Sequence, residues 1–315
     1  MAEETLMTIV NEQQGLSLKL KHRRELLACY PHPAFPTISI TGSKCALSCK
    51  HCGRHYLKNM LACTTPEELY KKCLELSLKG AFGVLLSGGF NEEGYVPFEP
   101  FLDVIRKVKD RTGIFISTHT GLVPEWLAKE MGIAGVDLAD YDLIGSEDTI
   151  KSVLGIEKKV NDYRSSLKSL ARHIPYVVPH ICIGLHFGEL RGEFRALELA
   201  SEVNPYLLVL LVLAPTPGTG FGELEPPSAS VFKKVAIKAR TMFPEIDISL
   251  GCMRPRFQDR LGLELAALEA GIDRIELPAQ KTLEAARRMG LTVKKLYACC
   301  SVPESVVKSS FEPNS

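Results

Sequence analysis

The sequence predicts an α/β fold, a (βα)8 TIM-type barrel with N- and C-terminal extensions, and three observations carry that expectation. The chain has 315 residues, which suits one barrel of roughly 250 residues plus extensions. Apolar residues make up 45% and charged residues 24%, enough to fill a hydrophobic core and to confine disorder to the ends. Apolar strand-like runs alternate eight times with amphipathic stretches, as in a parallel sheet wrapped by helices.

The expected strands are 37–41, 83–87, 114–118, 136–144, 176–184, 207–214, 247–250 and 274–277. Helical stretches lie at 66–79, 98–111, 124–131, 161–173, 193–203, 229–242, 258–270 and 282–289. Thr65, followed by Pro66 and Glu67, reads as an N-cap with proline at the first helical position. Gly80, Gly132, Gly271 and Gly290 follow helical runs, as left-handed C-caps do. The barrel is expected over 35–290, between extensions 1–34 and 291–315. The competing architecture is an open or partial barrel of six units with a separate C-terminal layer.

Net charge is +1, which gives no bulk attraction to nucleic acid or an anionic membrane. The first residues are acidic, without the basic and apolar regions of a signal peptide. The longest apolar run, 206–214, is far short of the ~20 residues that span a bilayer. A soluble, cytoplasmic protein is expected. Its ten cysteines are then not a disulfide framework. Cys73 and Cys182 lie in apolar patterns and read as buried small hydrophobes.

In a barrel, chemistry sits on the loops after the strands. Directly after the first strand come Cys45, Cys49 and Cys52, spaced three then two. Three thiolates on one tight loop can hold three irons of a cubane, leaving the fourth open. The alternative is zinc, which requires four ligands, with His51 or His55 completing the set.

The stretch Cys45-Ala-Leu-Ser-Cys49-Lys-His-Cys52 resembles the signature of the radical S-adenosylmethionine (SAM) superfamily. The resemblance implies a [4Fe–4S] cluster whose open iron takes the amino and carboxylate groups of SAM. It also implies reductive cleavage to a 5′-deoxyadenosyl radical that abstracts hydrogen. His51 holds the place of the family's adenine-side aromatic. Ser87, Gly88 and Gly89 resemble its Gly-Gly-Glu segment, with Phe90 where the acid stands. Thr118, His119 and His186, with the stretch from His180, are candidate ribose and adenine contacts. Asp140, Asp142 and Glu147 are weaker candidates for ribose or substrate.

A second set lies far along the chain. Cys252 follows the seventh strand, and Cys299 and Cys300 precede Ser301. Neighbouring cysteines are too strained to pair with each other. Three thiols at two sites suggest an auxiliary iron–sulfur cluster, its fourth ligand drawn from Ser301, Arg254, Arg256 or Cys29. Arg254 and Arg256 also read as anchors for a carboxylate or phosphate.

With both sets, the chain resembles the biotin-synthase-like branch, and within it the two-protein archaeal-type lipoyl synthases. The motifs are 35–42 before the first cysteines, 184–188, Gly251-Cys252-Met253-Arg254-Pro255-Arg256 and the terminal Cys299-Cys300. The resemblance implies sulfur insertion into a protein-bound octanoyl group, with an auxiliary cluster as sulfur source. It implies as partners a lipoyl-carrier domain bearing octanoyl-lysine and a second related radical SAM protein. Competing expectations are a radical SAM enzyme of another cofactor-assembly pathway and a non-enzymatic iron–sulfur or zinc scaffold. Lys44, Lys50, His51, Arg54, His55 and Lys58 form a basic surround that suits an acidic electron donor, ferredoxin or flavodoxin, or an ordinary solvated face.

Overall fold

The computed structural model describes residues 23–257 and 259–307, together with Ser17 and Lys19. Eleven strands form one sheet. They are β1 (Glu25–Cys29), β2 (Thr37–Ser39), β3 (Leu61–Ala62), β4 (Gly83–Ser87), β5 (Phe115–His119), β6 (Leu138–Asp142), β7 (Tyr176–Ile183), β8 (Leu207–Val212), β9 (Asp247–Leu250), β10 (Arg274–Glu276) and β11 (Thr292–Leu296). The order is β11-β1-β10-β9-β8-β7-β6-β5-β4-β2-β3, and every pairing is parallel.

All eight expected strands are present, as β2 and β4 to β10. The sheet is not a closed ring of eight, however. Its edges are β11 and β3, and three strands were not expected. Of these, β1 and β11 come from the stretches set aside as extensions. β1 is wedged between β10 and β11, with Leu27 opposite both Arg274 and Lys294.

The helices are α1 (Pro66–Leu78), α2 (Leu102–Thr112), α3 (Glu125–Ala134), α4 (Val160–His173), α5 (Glu193–Ser201), α6 (Ala229–Met242), α7 (Arg260–Glu269) and α8 (Gln280–Arg288). Thr65 caps α1 reciprocally with Glu68, and Pro66 opens the helix. Gly80, Gly271 and Gly290 take positive φ after their helices. Gly132 does not. It lies inside α3, which runs on to a left-handed Gly135. A Cβ on Gly132 would lie 2.2 Å from the His173 carbonyl oxygen, so this glycine permits the close approach of α4.

Two apolar layers follow from strand alternation. Outward residues such as Ile38, Val84, Ile116 and Ile275 pack under the helices. Inward residues form a separate cluster that joins Leu27 of β1 to Phe115, Leu138, Val178 and Val209. Side chains from strands so far apart in sheet order meet only because the sheet curls around them. Ala298, Cys300 and Val302 belong to this inner cluster, so the segment after β11 turns into the barrel interior. β8, Leu-Leu-Val-Leu-Leu-Val, is buried along its whole length, as a central parallel strand must be.

A buried ion cluster ties the start of the sheet to its end. Asp273 accepts from Lys19 Nζ at 2.7 Å, from the Arg240 guanidinium, and from the Ile248 amide at 2.8 Å. All three charged side chains are fully buried. Removing the carboxylate leaves two buried cations without it. Asp273→Ala should cost about 3–5 kcal/mol in urea unfolding, far more than the surface substitution Glu269→Ala.

Candidate active site

Because all strands are parallel, their C-terminal ends share one rim, and the long loop after β2 crosses it carrying Cys45, Cys49 and Cys52. Local contacts fix that loop from both sides. Thr41 Oγ1 accepts from Gly89 N at 2.6 Å and donates to Lys44 O at 3.0 Å. Ala46 N donates to Phe90 O at 2.8 Å, and Phe90 N lies 3.3 Å from Cys45 Sγ. On the other side, Lys50 N donates to Val153 O at 2.9 Å, and Cys49 Sγ lies 3.8 Å from Leu154 O. Residues 147–154 form a helical turn after β6, capped by Ser146.

Gly89 is where the β4 and β2 loops touch. A Cβ there would lie 2.0 Å from Lys44 O and 2.5 Å from Cys45 Cβ. Gly88 is similarly tight against Thr41, at 2.9 Å. The two glycines thus set the height of the first cysteine. A cleft of about 800 Å³ opens beside them, lined by Lys44, Cys45, Thr64, Phe90 and neighbours. It flanks the rim, since no lining residue comes from β5 to β10.

The three thiols are half-buried. Burial, then Cys52 and Cys45, pushes the Cys49 thiol up to about 12. Burial also raises Cys52. Their sulfurs do not all lie within 4.8 Å of one another. Tetrahedral zinc requires four ligands, whereas a cubane takes each of three thiolates on its own iron and leaves the fourth open. The amide of Phe90 is a ready donor to a Cys45 thiolate. The donor set fits a [4Fe–4S] cluster.

His51 lies between Cys49 and Cys52 in sequence, and its Nδ1 is buried without a hydrogen-bond partner. Burial lowers its pKa, against the nearby Asp142. A neutral ring with an unpaired nitrogen at the rim fits a heteroaromatic ligand.

Inside the rim, the β4–β7 side is polar. Ser87 Oγ is 3.5 Å from His119 O. His119 Nδ1 is 3.7 Å from Asp142 Oδ2, and its ring meets His180 edge-on at 5.4 Å between centroids. Ser117 donates to Asp140 at 2.5 Å, and His180 Nε2 is 3.7 Å from Asp140 Oδ1. Thr118 does not join them. It shares the outward parity of Ile116 and donates to Leu138 O. His186 is held in the loop after β7 by Thr149 Oγ1 at 3.1 Å, while Glu147 is exposed.

The β7–β9 side is apolar and sulfur-rich. Cys182 is half-buried and packs against the inner cluster beside Leu211 and Met253. Tyr56, which sequence reasoning did not single out, donates to or accepts from Thr216 Oγ1 at 2.8 Å. Burial raises its pKa, and Cys52, Cys182 and Cys252 all lie within electrostatic reach. Tyr56 therefore stands between the two cysteine sets. Its position after Cys52 was visible, but the barrel curvature that turns it inward was not.

Of the second set, Cys299 and Cys300 come together, and Glu276 joins them. Ligand atoms of Glu276, Cys299 and Cys300 lie within 4.8 Å of one another. Cys252 is solvent-accessible, in the loop after β9. Enclosure, then Glu276 and Cys299, raises its thiol well above the ordinary value. Ser301 Oγ lies 3.5 Å from Cys299 Sγ. The two arginines are committed elsewhere. Arg254 donates to Gly251 O, Glu264 and Glu276 O, and Arg256 to Glu276 O, Leu277 O and Cys252 O. They brace this corner rather than reach into it.

No family model matches the sequence, and no curated protein does. Solved structures do match in fold. Methylornithine synthase PylB is 15% identical, with a TM-score of 0.63 over 90% of this chain and 88% of that one. HydG, a maturase of the [FeFe]-hydrogenase, is 15% identical, with a TM-score of 0.66 over 91% of this chain and 68% of that one. SuiB from Streptococcus suis, bound to S-adenosylmethionine, is 8% identical, with a TM-score of 0.54 over 70% and 51%. The chain shares its fold with these three proteins. Among the described residues, no helix is long and apolar enough to cross a membrane.

Two outcomes follow from this geometry. Gly89→Ala should push the Cys45 loop off the rim, lowering iron by about four per chain on reconstitution with circular dichroism unchanged. His180 is held neutral by burial, its pKa below the ordinary 6.5. The unfolded chain takes that proton first, so His180 makes the fold lose stability as pH falls below 6.5 towards its folded pKa. Melting temperature should decline less steeply in that window in His180→Gln.

Proposed function

We propose that the protein is a radical SAM enzyme that inserts sulfur into an unactivated C–H bond, using a second iron–sulfur cluster as sulfur source. The reading is supported by two cysteine sets in one fold, Cys45–Cys49–Cys52 on the loop after β2 and Cys252–Cys299–Cys300 after β9 and β11, with Cys300 in the inward cluster. Bound at these sets, a reduced [4Fe–4S] cluster would supply the electron that cleaves SAM, and an auxiliary cluster the sulfide.

This chain's own residues do the rest. The Thr41–Gly89 and Phe90–Cys45 contacts hold the first thiolates at fixed height. His51, Ser87, Gly88, Gly89 and His119 border the place for the polar groups of SAM. His119, Asp142, His180 and Asp140 present a hydrogen-bonding wall on that side. Cys182, Leu211 and Met253 offer an apolar wall on the other, which suits an alkyl chain and keeps water from a carbon radical. Tyr56 fixes the boundary between them.

The apolar wall, with the motif resemblance described above, favours a protein-bound octanoyl group as substrate and lipoyl cofactor synthesis as the setting. In that setting the partners are the lipoyl-carrier domain bearing octanoyl-lysine and a second related radical SAM protein. The basic residues around the first cysteines suit ferredoxin or flavodoxin.

The deciding experiment separates cleavage from insertion. Cys45→Ala should abolish 5′-deoxyadenosine formation, and full retention would sink the SAM assignment. Cys299→Ala should still form deoxyadenosine but yield no thiolated octanoyl product by mass spectrometry. An unchanged product yield would remove the second cysteine set from the reaction.

A further inference from the structure

The structure assigns Glu276 as the carboxylate ligand that completes the second metal centre beside Cys252, Cys299 and Cys300, an assignment that rests on the two-cluster reading above. The trio Glu276, Cys299 and Cys300 is the one group of described residues whose ligand atoms all lie within 4.8 Å of one another.

Its surroundings favour a cation. Glu276 is 5% exposed, Cys299 Sγ lies 3.9 Å from its Oε2, and Cys300 is in hydrogen-bonding contact with it. Among the described residues no lysine, arginine or histidine pairs with its carboxylate. Arg254 and Arg256 come close but donate to its backbone oxygen, at 2.7 and 3.4 Å. Two guanidiniums brought against one buried corner favour added negative charge there. A buried carboxylate without a cationic partner is costly, and a metal at this trio would neutralise it. A cluster bound by Glu276 and the two cysteines, each on its own iron, would satisfy all three at once, and the flanking guanidiniums would balance its negative charge.

The other candidates for this role are engaged. The Cys29 sulfur is fully buried and turned to Leu27 O, 3.8 Å away in its own strand. The Ser301 hydroxyl points at the Cys299 sulfur, where it can donate to a thiolate. The terminal nitrogens of Arg254 are held by Gly251 O, Glu264 and Glu276 O. A carboxylate is a harder ligand than thiolate and binds iron less tightly in a sulfide cluster. The iron on Glu276 is then the one that leaves first.

The test isolates the second centre in the full chain by combining Cys45→Ala, Cys49→Ala and Cys52→Ala. This parent, Glu276→Gln and Glu276→Cys in the same background are reconstituted anaerobically with ferrous iron and sulfide. Iron, sulfide and Mössbauer spectra are recorded. The parent should hold about four irons, one spectroscopically distinct. Glu276→Gln, which keeps shape and volume, should fall to about three, with a three-iron EPR signal on oxidation. Glu276→Cys should restore about four in an all-thiolate spectrum, which also shows that the site still folds. Four irons with an unaltered spectrum in Glu276→Gln would overturn the assignment while leaving the second cluster standing. No iron in the parent would overturn both.

Discussion

Parallel pairing is the constraint on which the rest of this molecule depends. Every strand delivers its C-terminal end to one rim, so loops far apart in sequence are gathered without any contact having to be built for the purpose. The β2 loop with its three cysteines, the β4 glycines, the β5–β7 histidines and acids, and Cys252 after β9 all meet there. Parallel strands require covered crossovers, and the eight helices meet that need on the outside. The inside is left to be filled by inward side chains and by the segment after β11.

That interior is divided. On the β4–β7 side, inward positions carry Ser87, Ser117, His119, Asp140, Asp142 and His180, linked through hydrogen bonds and close charge contacts. On the β7–β9 side, inward positions carry Cys182, Val209 and Leu211. One wall can bind the polar ends of a ligand while the other excludes water. Tyr56, tied to Thr216, stands where they meet. The architecture therefore sets a hydrogen-bonding wall beside a wall of apolar and sulfur side chains along β7 and β8, the latter ending in polar Ser249 on β9.

The sequence made much of this legible, for identifiable reasons. Central parallel strands are buried on both faces, so β8 reads as an unbroken apolar run. The cysteine spacing is local and needs no fold to be seen. β11, Thr-Val-Lys-Lys-Leu, was hidden because an edge strand keeps polar residues. β3 has only two residues. Glu276 was hidden differently. In Arg274-Ile275-Glu276-Leu277 nothing marks it until the register opposite Cys29 turns it inward, towards the turn at Cys299. Gly132 was misread as a cap because its role is set by α4, a partner distant in sequence.

The place of β1 gives the two cysteine sets different histories. β1 lies between β10 and β11, so an early strand has no partner on either side until the far end of the chain arrives. Contacts of such long sequence separation form slowly. The corner that holds Cys29, Glu276, Cys299 and Cys300 is built from these three strands and the turn after them. The first three thiols need only the β2 loop, the β4 glycines and the turn after β6. A growing chain can thus settle its first three cysteines before the turn at Cys299 and Cys300 exists, which orders in time two cysteine sets that end in one fold.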